Sequence, residues 1–185
     1  MPHTFAKTMF SNAARKLQER FGSRASYERM ANSGYGEQKL GLNEVDFIAA
    51  RDSFYMATVS GEGWPYIQHR GGIRGFLQVL DESTLAFGDY AGNKQYISAG
   101  NLTENDRVSV FLMDYPNRTR LKVIGHARIV EPAEDPDLSA RFGGVEPGTR
   151  LERILVIQVV GFDWNCPQHI TPRFTLEEIQ TIAEN

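Results

Sequence analysis

The sequence predicts a mainly β domain with helices at its periphery, built as a small closed barrel of short antiparallel strands. Three observations carry this. Short runs rich in β-branched and aromatic residues recur from residue 54 to residue 160, most of them joined by Gly, Asp or Ser turn chemistry. Two of these runs, 107–113 and 154–160, are apolar on both faces, which a sheet wetted on one side does not require. Patterns with helical spacing concentrate at the two ends of the chain.

Phe10, Ala14, Leu17 and Phe21 fall at helical spacing, with Arg15, Lys16, Glu19 and Arg20 between them, and predict an amphipathic helix. Residues 23–33 hold a second short helix, and the glycine-rich stretch 34–41 reads as a loop. Asn43 is placed to cap a third helix carrying Asp46, Phe47, Ile48 and Ala50. Strands are expected over 54–60 and 64–70 about a Gly61-Glu-Gly63 turn, and over 75–80 and 84–87 about Asp81-Glu-Ser83. A further pair spans 107–113 and 121–130, and a late strand spans 154–160. Residues 132–142 predict a short helix. Thr175-Leu-Glu-Glu178 is a capping-box pattern opening a final helix with Ile179 and Ile182.

Composition narrows the function classes. The 185 residues suffice for one domain with a full core, and the net charge of −3 offers no basic footprint for nucleic acid. No apolar run approaches the length of a membrane span, and the first residues lack an apolar signal core. Cys166 is the one cysteine, so no intrachain disulfide forms, and a reducing cytoplasm is the expected setting. The four histidines and this cysteine show no metal-ligand spacing, and no metal site is expected.

The most informative stretch is Gly88-Asp-Tyr-Ala-Gly-Asn-Lys-Gln-Tyr-Ile97. A strand runs into Gly/Asp/Asn turn chemistry and then into a helix. Such a turn points free N–H groups at one spot, where the helix dipole favours an anion. Lys94 adds a mobile positive charge there, with Asn93 and Gln95 beside it. An exposed loop with a solvated lysine is the competing reading, since the spacing is not that of a P-loop. Asp89 reads as a residue that shapes this turn by accepting from nearby N–H groups.

The order of motifs resembles a known family. Trp64-Pro-Tyr-Ile-Gln-His-Arg-Gly-Gly72 follows the first strand; Gly-Asn-Lys-Gln95 and Asn-Leu-Thr-Glu-Asn-Asp-Arg-Val108 come next. Arg118-Thr-Arg-Leu-Lys-Val-Ile-Gly-His-Ala-Arg128 and Asp163-Trp-Asn-Cys-Pro-Gln-His-Ile170 complete the series. Together they resemble the pyridoxamine 5′-phosphate oxidase-like family over roughly residues 43–174. The resemblance implies a six-stranded antiparallel split β-barrel of FMN-binding type over these residues; the helical patterns outside it form an N-terminal extension over 1–42 and a closing helix over 175–185. It implies a homodimer with FMN in a groove between the subunits.

Site residues follow from the same resemblance. Lys94 stands where the family holds the FMN phosphate, flanked by Asn93 and Gln95, with Asp89 counted in the cofactor site. Gln68, His69 and Arg70 stand on the strand that serves the isoalloxazine and ribityl chain, although Gln68 occupies the place of an arginine in the oxidases. Arg120 falls near a polar position that contacts FMN. Trp164, like Trp64 or Tyr66, offers a flat wall, and Cys166 reads as a small pocket-wall residue in a segment that closes over the flavin. No catalytic residue is assigned, because a flavin carries the redox chemistry itself. The oxidases bind substrate with a C-terminal Arg-x-His pair; here the order is His169-Ile-Thr-Pro-Arg173, which argues against pyridoxamine phosphate as substrate. Two functions stay open: an FMN-dependent oxidoreductase acting on a small molecule or electron acceptor, and a carrier that binds flavin, heme or deazaflavin without turnover.

Overall fold

The computed structural model describes residues 4–33, 38–143, 150–164 and 166–184. Parts of the expected 34–41 loop and Asn165 lie outside these. Four helices come first, α1 (Thr4–Met9), α2 (Asn12–Arg20), α3 (Arg24–Asn32) and α4 (Leu42–Ala49). The hairpins β1 (Ser53–Val59)/β2 (Pro65–Gly71) and β3 (Gln78–Asp81)/β4 (Thr84–Tyr90) follow. Then come α5 (Ile97–Glu104), β5 (Arg107–Asp114), β6 (Thr119–Val130), α6 (Pro136–Phe142), β7 (Leu151–Trp164) and α7 (Leu176–Ala183).

All strands join one antiparallel sheet of seven, in the order β2-β1-β5-β6-β7-β4-β3. The strand count therefore exceeds the expected six by one. Nor is the barrel closed by hydrogen bonds, because β2 and β3 end the sheet without pairing to each other. The sheet still curls on itself. Phe54 on β1 meets Phe87 on β4 edge-on at 5.1 Å, although three strands separate them in the sheet, and it stacks on Phe76 at 5.3 Å. This is the split of a split barrel: a seam bridged by side chains.

The interior is the main core, with Phe54, Met56, Leu85, Phe87, Val110, Leu112, Leu121, Val123, Leu155 and Ile157 all but sealed from solvent. Both faces of β7 are buried, as its sequence requires. Leu155, Ile157 and Val159 point into the barrel, while Ile154 and Val156 pack outside with Ala86, Val130 and Phe142 of α6. On β5, Val108, Val110 and Leu112 point inward, but Ser109, Phe111 and Met113 stay partly open on the outer face. The apolar outer face of β5 is thus left uncovered within one chain.

Local chemistry explains the boundaries. Glu44 reaches back to the Gly41 N–H at 2.9 Å, so α4 opens at Leu42, ahead of the expected Asn43 cap. Pairing with the long β7 carries β4 through Gly88 and Asp89 to Tyr90, beyond the run that ends at Phe87. Residues 72–77 form no strand; they bring Phe76 and Leu77 into the core, and only 78–81 pair. Asp81 takes the Ser83 N–H at 2.8 Å, and that bond holds its carboxyl below the usual range. Asp135 caps α6 through Leu138 N–H at 2.9 Å. The Thr175–Glu178 capping box forms as its pattern predicts.

Helix α1 is held to the barrel by a close approach. Gly161 on β7 lies so near α1 that a Cβ there would come within 2.6 Å of the Phe5 nitrogen. Gln38 ties the contact: its Oε1 accepts from the Phe5 and Phe162 N–H groups, and its Nε2 donates to the Phe162 carbonyl at 2.6 Å. By contrast, the predicted apolar stripe of α2 is not buried, and Leu17 and Phe21 are exposed.

Candidate functional site

Strand β2 has two faces, and each looks into a different cavity. Tyr66, Gln68 and Arg70 alternate toward the seam, while Ile67 and His69 point the other way. The seam holds a polar pocket of about 210 Å³ between β2, the end of β4, the 91–96 loop and the start of α5.

The pocket is built around shared charge. Asp89 accepts from Arg70 at 2.6 Å and lies 3.7 Å from Arg153. Arg153 also meets Glu152 at 2.8 Å and stacks over the Tyr96 ring at 4.8 Å. Arg70 sits over Phe87, and its Nε is buried with no hydrogen-bond partner. Ser98 donates to Gln68 Oε1 at 2.9 Å, which ties the Gln68 amide to the start of α5. One turn further along α5, the buried Asn101 donates to Thr58 at 2.9 Å and locks the helix against β1.

The loop supplies the anion-binding elements. Asn93 Oδ1 accepts the Gln95 N–H at 3.1 Å, which shapes the turn. Lys94 and Tyr96 adopt left-handed conformations, with φ of 60° and 53°. Tyr96 occupies the N-cap of α5 without capping it through its side chain, so the first N–H groups of α5 stay available. Lys94 stands exposed at the rim among these donors.

The second cavity is an apolar groove of about 560 Å³ on the outer face of the sheet. Tyr55 and Ala57 of β1, Ile67 of β2, and Ser109, Phe111 and Met113 of β5 form its floor. Tyr115, Arg120, His169, Ile170, Thr171 and Arg173 complete it. Arg173 lies 4.9 Å over the Tyr115 ring, and His169 is held at a φ of 62°.

The expected site residues thus divide. Gln68, Arg70, Asp89, Asn93, Lys94 and Gln95 come together in the seam pocket. Asp89 is there as the partner of Arg70, at the end of a strand and not in a turn. His69 faces away and packs edge-on against Tyr55 at 5.5 Å. Arg120 lines the other cavity. Trp164 lines neither: it packs edge-on against Phe47 at 4.8 Å and donates its indole N–H to Glu44 at 2.7 Å. Cys166 is exposed and also lines neither. Ser98, Glu152 and Arg153 were not singled out by sequence. Nothing local marks Glu152 and Arg153, because β7 brings them in from some sixty residues downstream of β4.

Comparison with known proteins agrees with this architecture. The pyridoxamine 5′-phosphate oxidase family matches residues 43–161. No protein of curated function matches the chain. Among solved structures, a candidate pyridoxamine 5′-phosphate oxidase from Lactobacillus delbrueckii is similar, with a TM-score of 0.53 and 20% identity over 69% of this chain and 96% of that one. HupZ of Group A Streptococcus is similar with a TM-score of 0.51 and 16% identity, over 73% of this chain and all of the other (100%). At such identities the structural likeness speaks for the fold alone. The family match spans most of the chain, and the seven-stranded split barrel accords with it; the chain belongs to the pyridoxamine 5′-phosphate oxidase family.

Proposed function

We propose that the protein is an FMN-binding flavoprotein that works as a homodimer, an oxidoreductase toward a small molecule or an electron acceptor. The observation that carries this is the seam pocket. An uncapped helix start, a rim lysine and the Gln68 amide converge there beside the Arg70 guanidinium. This donor set suits a phosphate and the polar chain attached to it. FMN is the family's usual cofactor, which supports the same reading.

Size supports the dimer. About 210 Å³ is below the roughly 300–1,000 Å³ of ordinary cofactor sites, enough for a phosphate and part of a ribityl chain. The ring system needs a further wall. A second copy offers one, because the outer face of β1 and β5 is apolar and uncovered. When bound, FMN supplies hydride or single-electron transfer. Lys94, the α5 N–H groups and Gln68 bind and orient it, while Asp89 fixes Arg70 beside it.

A non-catalytic carrier is the second reading. It draws on the state of the acids: Asp89 and Glu152, the carboxylates lining the pocket, are both engaged by arginines. The deciding experiment is the visible spectrum of the purified protein, with mass identification of the ligand released on denaturation. Two flavin bands and the mass of FMN are expected; a Soret band or a colourless protein overturns the cofactor. Anaerobic bleaching by NADH or NADPH separates enzyme from carrier. Lys94→Ala is expected to weaken FMN binding about ten- to a hundredfold, the worth of one charge-assisted hydrogen bond. Unchanged affinity on titration would remove Lys94 from the site.

A further inference from the structure

We propose that helix α7 of one copy of the chain lies antiparallel on helix α2 of a second copy, and the reverse, so that a dimer exchanges the two ends of its chains. Within a single chain these helices cover nothing: no residue of α2 or of α7 is buried. Both are nevertheless patterned for burial. On α2, Ala14, Leu17 and, at the C-cap, Phe21 share one face. On α7, Leu176, Ile179 and Ala183 do so, with Ile182 beside them. Phe21 is 74% exposed and Leu176 81%. Single exposed apolar residues are ordinary, but continuous stripes of them mark surfaces that something covers.

Charge makes each stripe suit the other. Helix α2 carries Arg15, Lys16 and Arg20 against Glu19 alone. Helix α7 carries Glu177 and Glu178, with Glu184 at its C-cap and no Lys, Arg or His. Opposite charge across a contact fixes its register and steers its partner. The lengths match as well: nine residues and eight, or about 13 Å and about 12 Å of helix. Laid antiparallel, the acidic start of α7 meets the basic end of α2, and Ile179 falls near Leu17. Position favours a second copy. Met9, three residues before α2, lines a cavity with Arg107 and His126, where β5 begins. Arg173, three residues before α7, sits over the Tyr115 ring, just past the end of β5. The eight residues of β5 put about 27 Å between those anchors. A two-fold axis lying across β5 reverses the strand in the partner, and so brings the α7 end of each copy to the α2 end of the other. The exchange rests on the homodimer proposed above, but not on the flavin.

The test is a cross-link in the full-length chain. Leu17→Cys and Ile179→Cys are combined in a Cys166→Ser background, oxidised with copper phenanthroline and run on a non-reducing gel. A covalent dimer is expected from the double variant and from neither single one. Sedimentation equilibrium gives the second readout. Leu17→Asp and Ile179→Asp should each raise the dimer dissociation constant about tenfold or more. Arg20→Glu and Glu177→Lys should each weaken the dimer, and the two together should recover most of the loss. A dimer that yields no covalent product, or that ignores all four of these substitutions, overturns the exchange and leaves the homodimer standing. A faster-running monomer marks a bond within one chain and also overturns it. A wild-type chain that sediments only as a monomer overturns exchange and homodimer together. Binding to phosphatidylglycerol vesicles that Leu17→Asp abolishes would assign α2 to a membrane surface, which again overturns it. A cross-linked but colourless dimer upholds the exchange and removes only the flavin.

Discussion

In the seam pocket Arg70 and Arg153 share Asp89, and Glu152 takes the second arm of Arg153. In the groove on the other face of β2, Arg120 has no carboxylate among the described residues. The first arrangement is electrostatically settled by the chain itself and leaves only edges of its donors free. The second has an apolar floor and leaves the Arg120 Nε buried without a hydrogen bond. Buried cations that pair internally hold the architecture. The seam pocket thus fixes its own arginines, through Asp89 and Glu152, before any ligand arrives.

The sharpest challenge to this contrast is Asp89→Asn. It strips Arg70 of its carboxylate and leaves Arg153 with Glu152. Breaking a fully buried pair costs about 3–5 kcal/mol, and partial exposure here reduces the expected loss to about 2–3 kcal/mol in urea unfolding. Arg120→Gln should cost less than about 1 kcal/mol by the same measurement, since no internal partner is lost. Equal costs would erase the distinction. Next in size is Thr58→Val, which strands the buried amide of Asn101 beneath α5 and should cost about 1–3 kcal/mol. The double change with Asn101→Leu should cost less than the sum of the singles, because it removes both polar partners.

Trp164→Phe should cost about 1 kcal/mol through the lost Glu44 bond and leave FMN affinity unchanged. A drop in FMN affinity would return Trp164 to the site, by way of a partner subunit. The smallest effect belongs to Asp81. Its carboxyl is lowered by the Ser83 N–H, so its contribution is present above its ordinary pKa and fades as pH falls through the lowered one. The difference in thermal midpoint between wild type and Asp81→Asn should accordingly be small at neutral pH and close in acid. A difference that widens in acid would contradict the direction of the shift.

Much of the fold was legible because its signals are local. The Gly61–Gly63 and Asp81–Ser83 turns, the apolar faces of β5 and β7 and the Thr175 cap each depend on a few neighbouring residues. The seam pocket was legible where one loop lines it, as at Asn93, Lys94 and Gln95. It was less legible where the period of a strand matters: Gln68 and Arg70 share a face that His69 does not, and alternation alone separates them. Trp164 looked like a ring wall because its partner, Glu44, lies 120 residues away. The stripe of α2 shows the converse. Helical spacing forecast the helix correctly, but spacing cannot say what covers Leu17 and Phe21.

The seam also has a dynamic meaning. Elsewhere in the barrel, strands are held by ladders of main-chain bonds that must break together. Across the seam the ties are separate side-chain contacts, Arg70 to Asp89, Gln68 to Ser98 and Phe54 to Phe87. Contacts of that kind open one at a time, so the β2 edge should part from α5 and β4 without unfolding the rest. Amide exchange at the outer edge of β2 should be fast in the free protein and should slow when a ligand fills the seam. The barrel would thus breathe along the line where the proposed cofactor site lies.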